Sequence, residues 1–401
     1  MKLLFTILLI LLTAASWQTE AQTSGSRPYF KRIGLQEGMP DNSVNVIAQD
    51  AKGFLWGGTW QGLVRYDGIQ TRVFRHEPGD PHSLCNGMIR DLAVRPDGLW
   101  IATDSGLDFY DYADGIFHHS RLREEKGKEP LRIQQRVSHL LQTPSGMLAL
   151  LGDGRIAELE DEGGGHHGYI FRPVKQPSTG HIADFTLWRN GEILTVSDRG
   201  VTLLDRTATK ALSHIDSPSN FDTYTNIYCD TTANKIIAGY GIGHESRAFR
   251  IDPRSRALTR DSDFRVPPNL MSVTAHHGSY FFATDGDGLI EESGDGKLTQ
   301  YTLTNSTLSS DALYTVYSDR NDNLWIGTYR HGIALFSPTL NYFRYATTDN
   351  GAISYSIVTA ILPVGGNVML GLTAGASTSA AATSRSAATS TPPTAVCPAT
   401  T

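Results

Sequence analysis

Asp50-Ala51-Lys52-Gly53-Phe54-Leu55-Trp56-Gly57-Gly58-Thr59-Trp60-Gln61-Gly62-Leu63-Val64-Arg65-Tyr66-Asp67 is the stretch whose reading decides the fold. Turn residues at Asp50 to Gly53 lead into Phe54-Leu55-Trp56, and a second turn at Trp60-Gln61-Gly62 leads into Leu63 to Tyr66. Asp at the start of a tight hairpin accepts backbone hydrogen bonds, and Gly supplies a backbone conformation that other residues resist. A tryptophan in mid-strand fills the space between two stacked sheets, so its expected role is structural. Val44 to Gln49 alternates before this stretch and Arg72-Val73-Phe74-Arg75 follows it, which makes a unit of four short strands.

The unit recurs. Asp97-Gly98-Leu99-Trp100 is followed by Gly106-Leu107 and Tyr110-Asp111, and Asn323-Leu324-Trp325-Ile326-Gly327 by Gly332-Ile333 and Phe336. When any apolar residue is allowed at the tryptophan position, Ala149, Leu194, Ile237, Phe281 and Met369 complete the series, with spacings from Trp56 of 44, 49, 45, 43, 44, 44 and 44. That period is one four-stranded propeller blade. The expected fold is all-β: a β-propeller of four-stranded blades, seven in number, with the start of a second propeller. The repeat residues Asp50, Gly53, Trp56, Gly62, Asp97, Gly98, Trp100, Gly106, Trp325, Gly327 and Gly332 are expected to hold the blades rather than to act on a ligand.

Closure of the ring can be read as well. Tyr29-Phe30-Lys31-Arg32-Ile33 resembles the outer strand of a blade without its inner three, and Tyr342-Phe343-Arg344-Tyr345 resembles the same element after the seventh unit. The first segment is therefore expected to complete the seventh blade and remove the exposed edge. This gives a propeller over residues 28–341 and a further blade beginning over 342–371. From 372 to 401 the repeat gives way to Ala, Ser and Thr. Two readings of that tail stand: a low-complexity, disordered linker, or a frameshifted segment, since a codon shift after Gly371 permits the Thr-Asp-Gly-Gly-Gly-Leu that the repeat predicts.

Residues 1–21 read as a signal peptide, with Lys2 before an apolar run from Leu3 to Leu12 and cleavage expected after Ala21, so the chain is expected to be exported. Three cysteines, Cys85, Cys229 and Cys397, are too few for a disulfide framework. The formal net charge of -6 with 19% charged residues leaves no basic stripe for a phosphate backbone, which argues against nucleic acid as a partner.

Chemistry is sparse. Gly294-Asp295-Gly296-Lys297 lacks the Ser or Thr of a phosphate loop. His118-His119, His166-His167 and His276-His277 would point to opposite faces of a strand, which suits no joint metal ligation. Asp319 to Asn323 is similar to a calcium loop but lacks its glycine and its distal Glu, so it reads as a hairpin turn. No cofactor and no metal is expected. The best candidate surface is the face where the loops between second and third strands converge. It would carry Trp60, Gln61, Asp104, Arg199, Tyr240, His244, Glu245, Asp287, Tyr329, Arg330 and His331. Aromatic faces beside carboxylates and guanidinium groups suit a sugar or another polar ligand.

Asp50, Gly53, Leu55, Trp56, Gly58-Thr59, Gly62-Leu63 and Tyr66-Asp67, with Gly34-Leu35, Asn42-Ser43-Val44 and Phe74-Arg75-His76, together resemble the two-component regulator propeller repeat. The resemblance covers residues 28 to 371, and is weakest in units three to five. It implies the periplasmic sensor region of a hybrid histidine kinase, with tandem propellers, a β-sandwich, a membrane helix and kinase modules that are not in this chain. It also implies a small-molecule ligand, often an oligosaccharide, and a dimer in the full-length relatives. The rival readings are a propeller enzyme and a protein-binding scaffold. A lyase similar to the streptogramin lyases would need His244 or His331; a glycosidase would need a carboxylate pair such as Glu245 and Asp287.

Overall fold

The computed structural model describes residues 27–160, 169–217, 224–240, 246–341, 357–364, 367–374 and 377–383. The expected leader, residues 1–21, lies outside them. Residues Pro28–Tyr342 form one compact unit, and the remainder of the chain forms another.

The first unit is a seven-bladed β-propeller. Blade 1 consists of Val44–Gln49, Leu55–Thr59, Gly62–Tyr66 and Thr71–Phe74, each antiparallel to the next. Blade 2 runs from Ile89–Val94 to Phe117–His119, blade 4 from Ile182–Leu187 to Ala211–Asp216, blade 5 from Tyr224–Asp230 to Leu258–Arg260 and blade 6 from Leu270–His276 to Leu298–Tyr301. Blade 3, from Val137–Thr143 to Ile170–Pro173, carries two added strands. Arg121–Leu122 pairs in parallel with Ile170 and Phe171, and Leu131–Arg132 pairs with Arg121–Leu122. The 49-residue spacing before Ala149 is thereby explained: the extra residues extend the outer edge of this blade.

Blade 7 takes Leu313–Ser318, Leu324–Thr328 and Ile333–Phe336 from its own unit and its fourth strand, Lys31–Ile33, from the start of the propeller. Lys31 faces Leu335, Arg32 faces Ala334 and Ile33 faces Ile333. The ring thus closes as the sequence suggested. The Arg32 guanidinium also donates to the His331 carbonyl (2.9 Å), and the Gly332 amide donates to the Asn42 carbonyl (2.7 Å).

The packing between blades follows from the repeat. Trp56 is buried and stacks on Phe74 at 5.7 Å, with Tyr110 and Tyr112 of blade 2 at 5.6 and 6.2 Å. Trp100 meets Tyr169 (4.7 Å) and Phe171 (5.5 Å), beside blade 3, and Trp325 meets Tyr66 of blade 1 at 6.1 Å. Burying such a ring contributes roughly 2–3 kcal/mol, and each aromatic pair adds about 0.5–1.5 kcal/mol.

The indole nitrogen is handled differently in different blades. Asp50 is buried; its Oδ1 accepts the Lys52 and Phe54 amides (2.9 and 3.0 Å) and its Oδ2 accepts Trp56 Nε1 (2.9 Å). Asp319 repeats this with the Asn321 and Asn323 amides (2.8 and 2.9 Å) and Trp325 Nε1 (2.7 Å). Its carboxylate is thereby occupied within the hairpin, in line with the turn reading of Asp319 to Asn323. In blade 2 the hairpin is tighter, with the Arg95 amide on the Gly98 carbonyl (2.8 Å), and Val94 stands six residues before the tryptophan. Asp97 therefore does not take the part of Asp50. It is exposed and pairs with Arg95 (2.9 Å), while Trp100 Nε1 has no hydrogen-bond partner among the described residues. Gly98 is needed for close approach rather than for the turn: a Cβ there would lie 2.2 Å from Phe109 Cζ and 2.5 Å from the Tyr110 carbonyl oxygen.

In the second unit Val358–Val364, Asn367–Ala374 and Ser377–Thr383 form a three-stranded antiparallel sheet.

Asp50→Ala leaves two backbone N–H groups and an indole N–H without their acceptor. It is expected to lower stability by about 2–3 kcal/mol, whereas Asp97→Ala stays within about 0.5 kcal/mol of the parent, both measured by urea denaturation followed by tryptophan fluorescence.

Candidate functional site

The loops between second and third strands are fixed by a hydroxyl clamp. Fully buried Thr59 donates to the Gly62 carbonyl (2.8 Å) and accepts the Gln61 amide (3.1 Å). Thr103 does the same with Gly106 and Ser105 (2.9 and 3.2 Å), and Thr328 with Gly332 and His331 (2.7 and 3.1 Å). A loop held this way presents its side chains from a rigid base.

A second device lies beneath the loops. In every one of the seven inner strands the pairing slips at the second residue, leaving Asn45, Arg90, Ser138, Ala183, Thr225, Met271 and Tyr314 outside the regular ladder. Such a bulge re-aims a side chain at the end of a strand.

At the seam of blades 7 and 1 these devices assemble an aromatic group. The Trp60 ring lies 5.8 Å from Tyr329 and 6.4 Å from Tyr314, and the two tyrosine rings are 5.6 Å apart. Trp60 Nε1 donates to Asn45 Oδ1 (2.9 Å), which fixes the indole plane, and Asn45 Nδ2 reaches the Ile89 carbonyl of blade 2 (2.8 Å). Arg330 lies over Tyr329 with its guanidinium carbon 4.7 Å from the ring centre; its φ of 64° places the backbone in the left-handed region, a strain of about 1 kcal/mol or more. Burial first, then Tyr329 and Asp285, pushes the Tyr314 hydroxyl pKa up, against the opposing charges of Arg330 and Arg90.

Asp104 lies in the corresponding loop of blade 2. Its Oδ1 accepts Arg90 Nη2 (2.7 Å) and Nε (3.1 Å) together with Arg136 Nε (2.8 Å). Partial burial opposes its ionisation, but the bonds and charges of the two guanidinium groups hold its carboxyl below the usual range. Two cations sharing one carboxylate leave an excess of positive charge.

The inner strands of blades 2, 3 and 4 bring a further trio together. His139 Nδ1 lies 3.4 Å from Asp184 Oδ1 and 3.9 Å from Asp91 Oδ2. Each carboxylate also accepts an amide from the next blade, Leu140 to Asp91 and Ile227 to Asp184, both at 2.8 Å. Burial pushes the Asp91 carboxyl up to about 6, against the charge of His139, and burial likewise raises Asp184.

The structure thus groups Trp60, Tyr329 and Arg330, and sets Asp104 among arginines. Gln61 is exposed beside Trp60. Arg199, in blade 4, is exposed and donates to the Ser178 carbonyl (3.3 Å); Asp287, in blade 6, offers its backbone carbonyl to Gln300 (2.7 Å). His331 Nδ1 donates to the Tyr329 carbonyl (3.0 Å), which makes it part of its own turn. Tyr240 ends the strand Lys235–Tyr240, while His244 and Glu245 lie outside the described residues. Asn45, Arg90, Arg136 and Tyr314 were not among the sequence candidates, nor was the Asp91–His139–Asp184 trio. The His276-His277 pair also departs from expectation: at His277 the backbone turns left-handed (φ 48°), so the two rings lie 4.2 Å apart instead of on opposite faces.

Residues 38–61 and 307–330 match the family model described as two component regulator propeller. The match covers 48 of the 401 residues, in blade 1 and blade 7. Both matched units flank the seam, and they contain Trp60 and Tyr329. Among solved structures, the chain is similar to the extracellular domain of a hybrid two-component system of B. thetaiotaomicron, with 20% identity and a TM-score of 0.66 over 86% of this chain and 47% of that one. A second such domain from the same organism matches at 17% identity and a TM-score of 0.56, over 86% and 44%. PorZ of Porphyromonas gingivalis, a surface component of the type-IX secretion system, matches at 19% and 0.57, over 84% and 52%. The chain spans about half the length of these structures. No curated protein matches it. Among the described residues no helix is long and apolar enough to cross a membrane.

Asp91 binds a proton more tightly folded than unfolded. Its contribution to stability is therefore full below the unfolded value of about 4 and lost as pH rises through about 6. Carboxyl NMR should show Asp91 titrating near pH 6, and His139→Gln should move that midpoint upward by removing the imidazolium charge.

Proposed function

We propose that this chain is the ligand-sensing propeller of a two-component signalling system, exported from the cytoplasm, and that it binds a polar small molecule of the oligosaccharide class without transforming it. One observation carries the reading: the Trp60–Tyr314–Tyr329 group lies across the seam of two blades, with Arg330 on its rim and Arg90 within electrostatic reach of Tyr314. Flat aromatic faces take the apolar face of a sugar ring, while guanidinium groups donate to its hydroxyl or acidic substituents. The two segments that match the family model supply all three rings, and the solved structures with the same architecture include extracellular domains of two-component systems.

Signalling follows from where the ligand would bind. Tyr314 and Tyr329 belong to blade 7 and Trp60 to blade 1, so a ligand held on all three favours the closed seam over any opened state and shifts that equilibrium by its differential affinity. Kinase modules outside this chain would read the shift. The signal-peptide pattern read in residues 1–21 supports export.

The test is calorimetric titration of the purified propeller with a panel of neutral and acidic oligosaccharides. Trp60→Ala and Tyr329→Ala should each weaken binding of the recognised sugar by about tenfold or more, with circular dichroism unchanged, while Arg199→Ala on blade 4 leaves affinity as it was. Binding undisturbed by both aromatic substitutions, or turnover of the sugar, overturns the proposal.

A further inference from the structure

We propose that Cys85, Asp108 and His119 form a binding site for a thiophilic divalent cation of the zinc type, built into blade 2. The three residues come from the connection between blades 1 and 2, the third strand Gly106–Asp111 and the outer strand Phe117–His119. One ligand atom from each lies within 4.8 Å of the others.

Repeat logic does not account for this trio. At the third-strand position of Asp108, set by its pairing with Ile101, blades 1, 4, 6 and 7 carry Val64, Thr202, Ile290 and Ala334. Only blade 2 among these places a carboxylate there, and Asp108 has no exposed surface at all. A buried carboxylate is retained when it is paired or coordinates a metal. Asp108 Oδ1 accepts His119 Nδ1 at 2.7 Å, across the strand pair, and Oδ2 accepts the Cys85 amide at 2.7 Å. The Cys85 thiol is held in place as well. It lies 3.2 Å from Thr103 Oγ1, and a Cβ at Gly106 would come within 2.8 Å of the sulfur, so the left-handed glycine keeps the slot open.

The donor set suits zinc, which combines thiolate sulfur, imidazole nitrogen and carboxylate oxygen at about 2.0–2.3 Å in a tetrahedron. Three protein ligands leave a fourth position for water. Burial first, then the Asp108 charge, pushes the Cys85 thiol up, so without a metal it is an unreactive protonated thiol. A divalent cation reverses that logic: the thiol proton leaves to solvent as the sulfur binds, and the His119 ring proton shifts from Nδ1 to Nε2 so that Nδ1 can coordinate. Affinity must therefore rise with pH.

Cobalt(II) is the probe, because a thiolate ligand gives it a near-ultraviolet charge-transfer band that carboxylate and imidazole ligands do not. The protein is the full chain with Cys229→Ser and Cys397→Ser, so that Cys85 is the only thiol. One equivalent of cobalt should produce the band, zinc should displace it, and binding should strengthen as pH rises. His119→Gln should weaken cobalt binding by about tenfold to a hundredfold, and Cys85→Ser should remove the band. The half-buried Asp111 and His118, with exposed Asp114, form a group close by that has no sulfur, so cobalt bound without the band has gone elsewhere and overturns the proposal. No binding at saturating cobalt overturns it too, as does a band whose strength His119→Gln leaves unchanged.

Discussion

Three residues of backbone pairing, Lys31–Ile33 against Ile333–Leu335, hold together the two ends of a ring about 300 residues around. In an open array each blade would bury its apolar face only against its neighbours, and the first and last would each leave one face wet. Closure puts Tyr66, Val44 and Ile47 of blade 1 against Trp325 of blade 7 in one buried cluster with Ile33 and Ile333. It also removes the unpaired edge of the last blade. The same seam carries polar ties from Arg320 of blade 7 to the Gln49 side chain and the Asp50 carbonyl of blade 1, next to the carboxylate that holds Trp56.

The aromatic group inherits its geometry from this seam. Its rings are supplied by a loop of blade 1, a loop of blade 7 and a bulged inner-strand residue of blade 7, so none of it exists until the ring is closed. The hydroxyl clamps make each loop rigid on its own blade, and the closing strand sets the blades relative to one another. Under the proposed function, recognition and closure are one structural event.

Much of this was legible in the chain. Trp56, Trp100 and Trp325 recur because each must fill the same inter-blade space, and that common demand makes the period visible even where Ala149 or Ile237 replaces the ring. The outer-strand character of Tyr29 to Ile33 was visible for the same reason: it is a blade element without its blade. Asp97 was harder to read, since Pro96-Asp97-Gly98 has the composition of the blade 1 turn but is one residue shorter, and the aspartate falls outside the reach of Trp100. Local composition cannot distinguish those two hairpins. The loop residues Trp60, Tyr329 and Arg330 could be placed on one face because the repeat fixes their phase. Tyr314, Asn45 and Arg90 could not, because a strict strand alternation gives no sign of the bulge that turns each of them out of the ladder. The Asp91–His139–Asp184 trio and the Cys85–Asp108–His119 group escaped for a related reason. Their members are far apart in sequence or on separate strands, and only the blade registers bring them together.

The account rests on closure by the N-terminal strand, and hydrogen–deuterium exchange of the intact chain tests it most directly. Amides of residues 31–33 should be protected to the same degree as those of 333–335, and deleting residues 28–33 should release protection in blades 7 and 1 while blades 3 to 5 keep theirs. Rapid exchange across 31–33 in the intact protein, with 333–335 still protected, would contradict it.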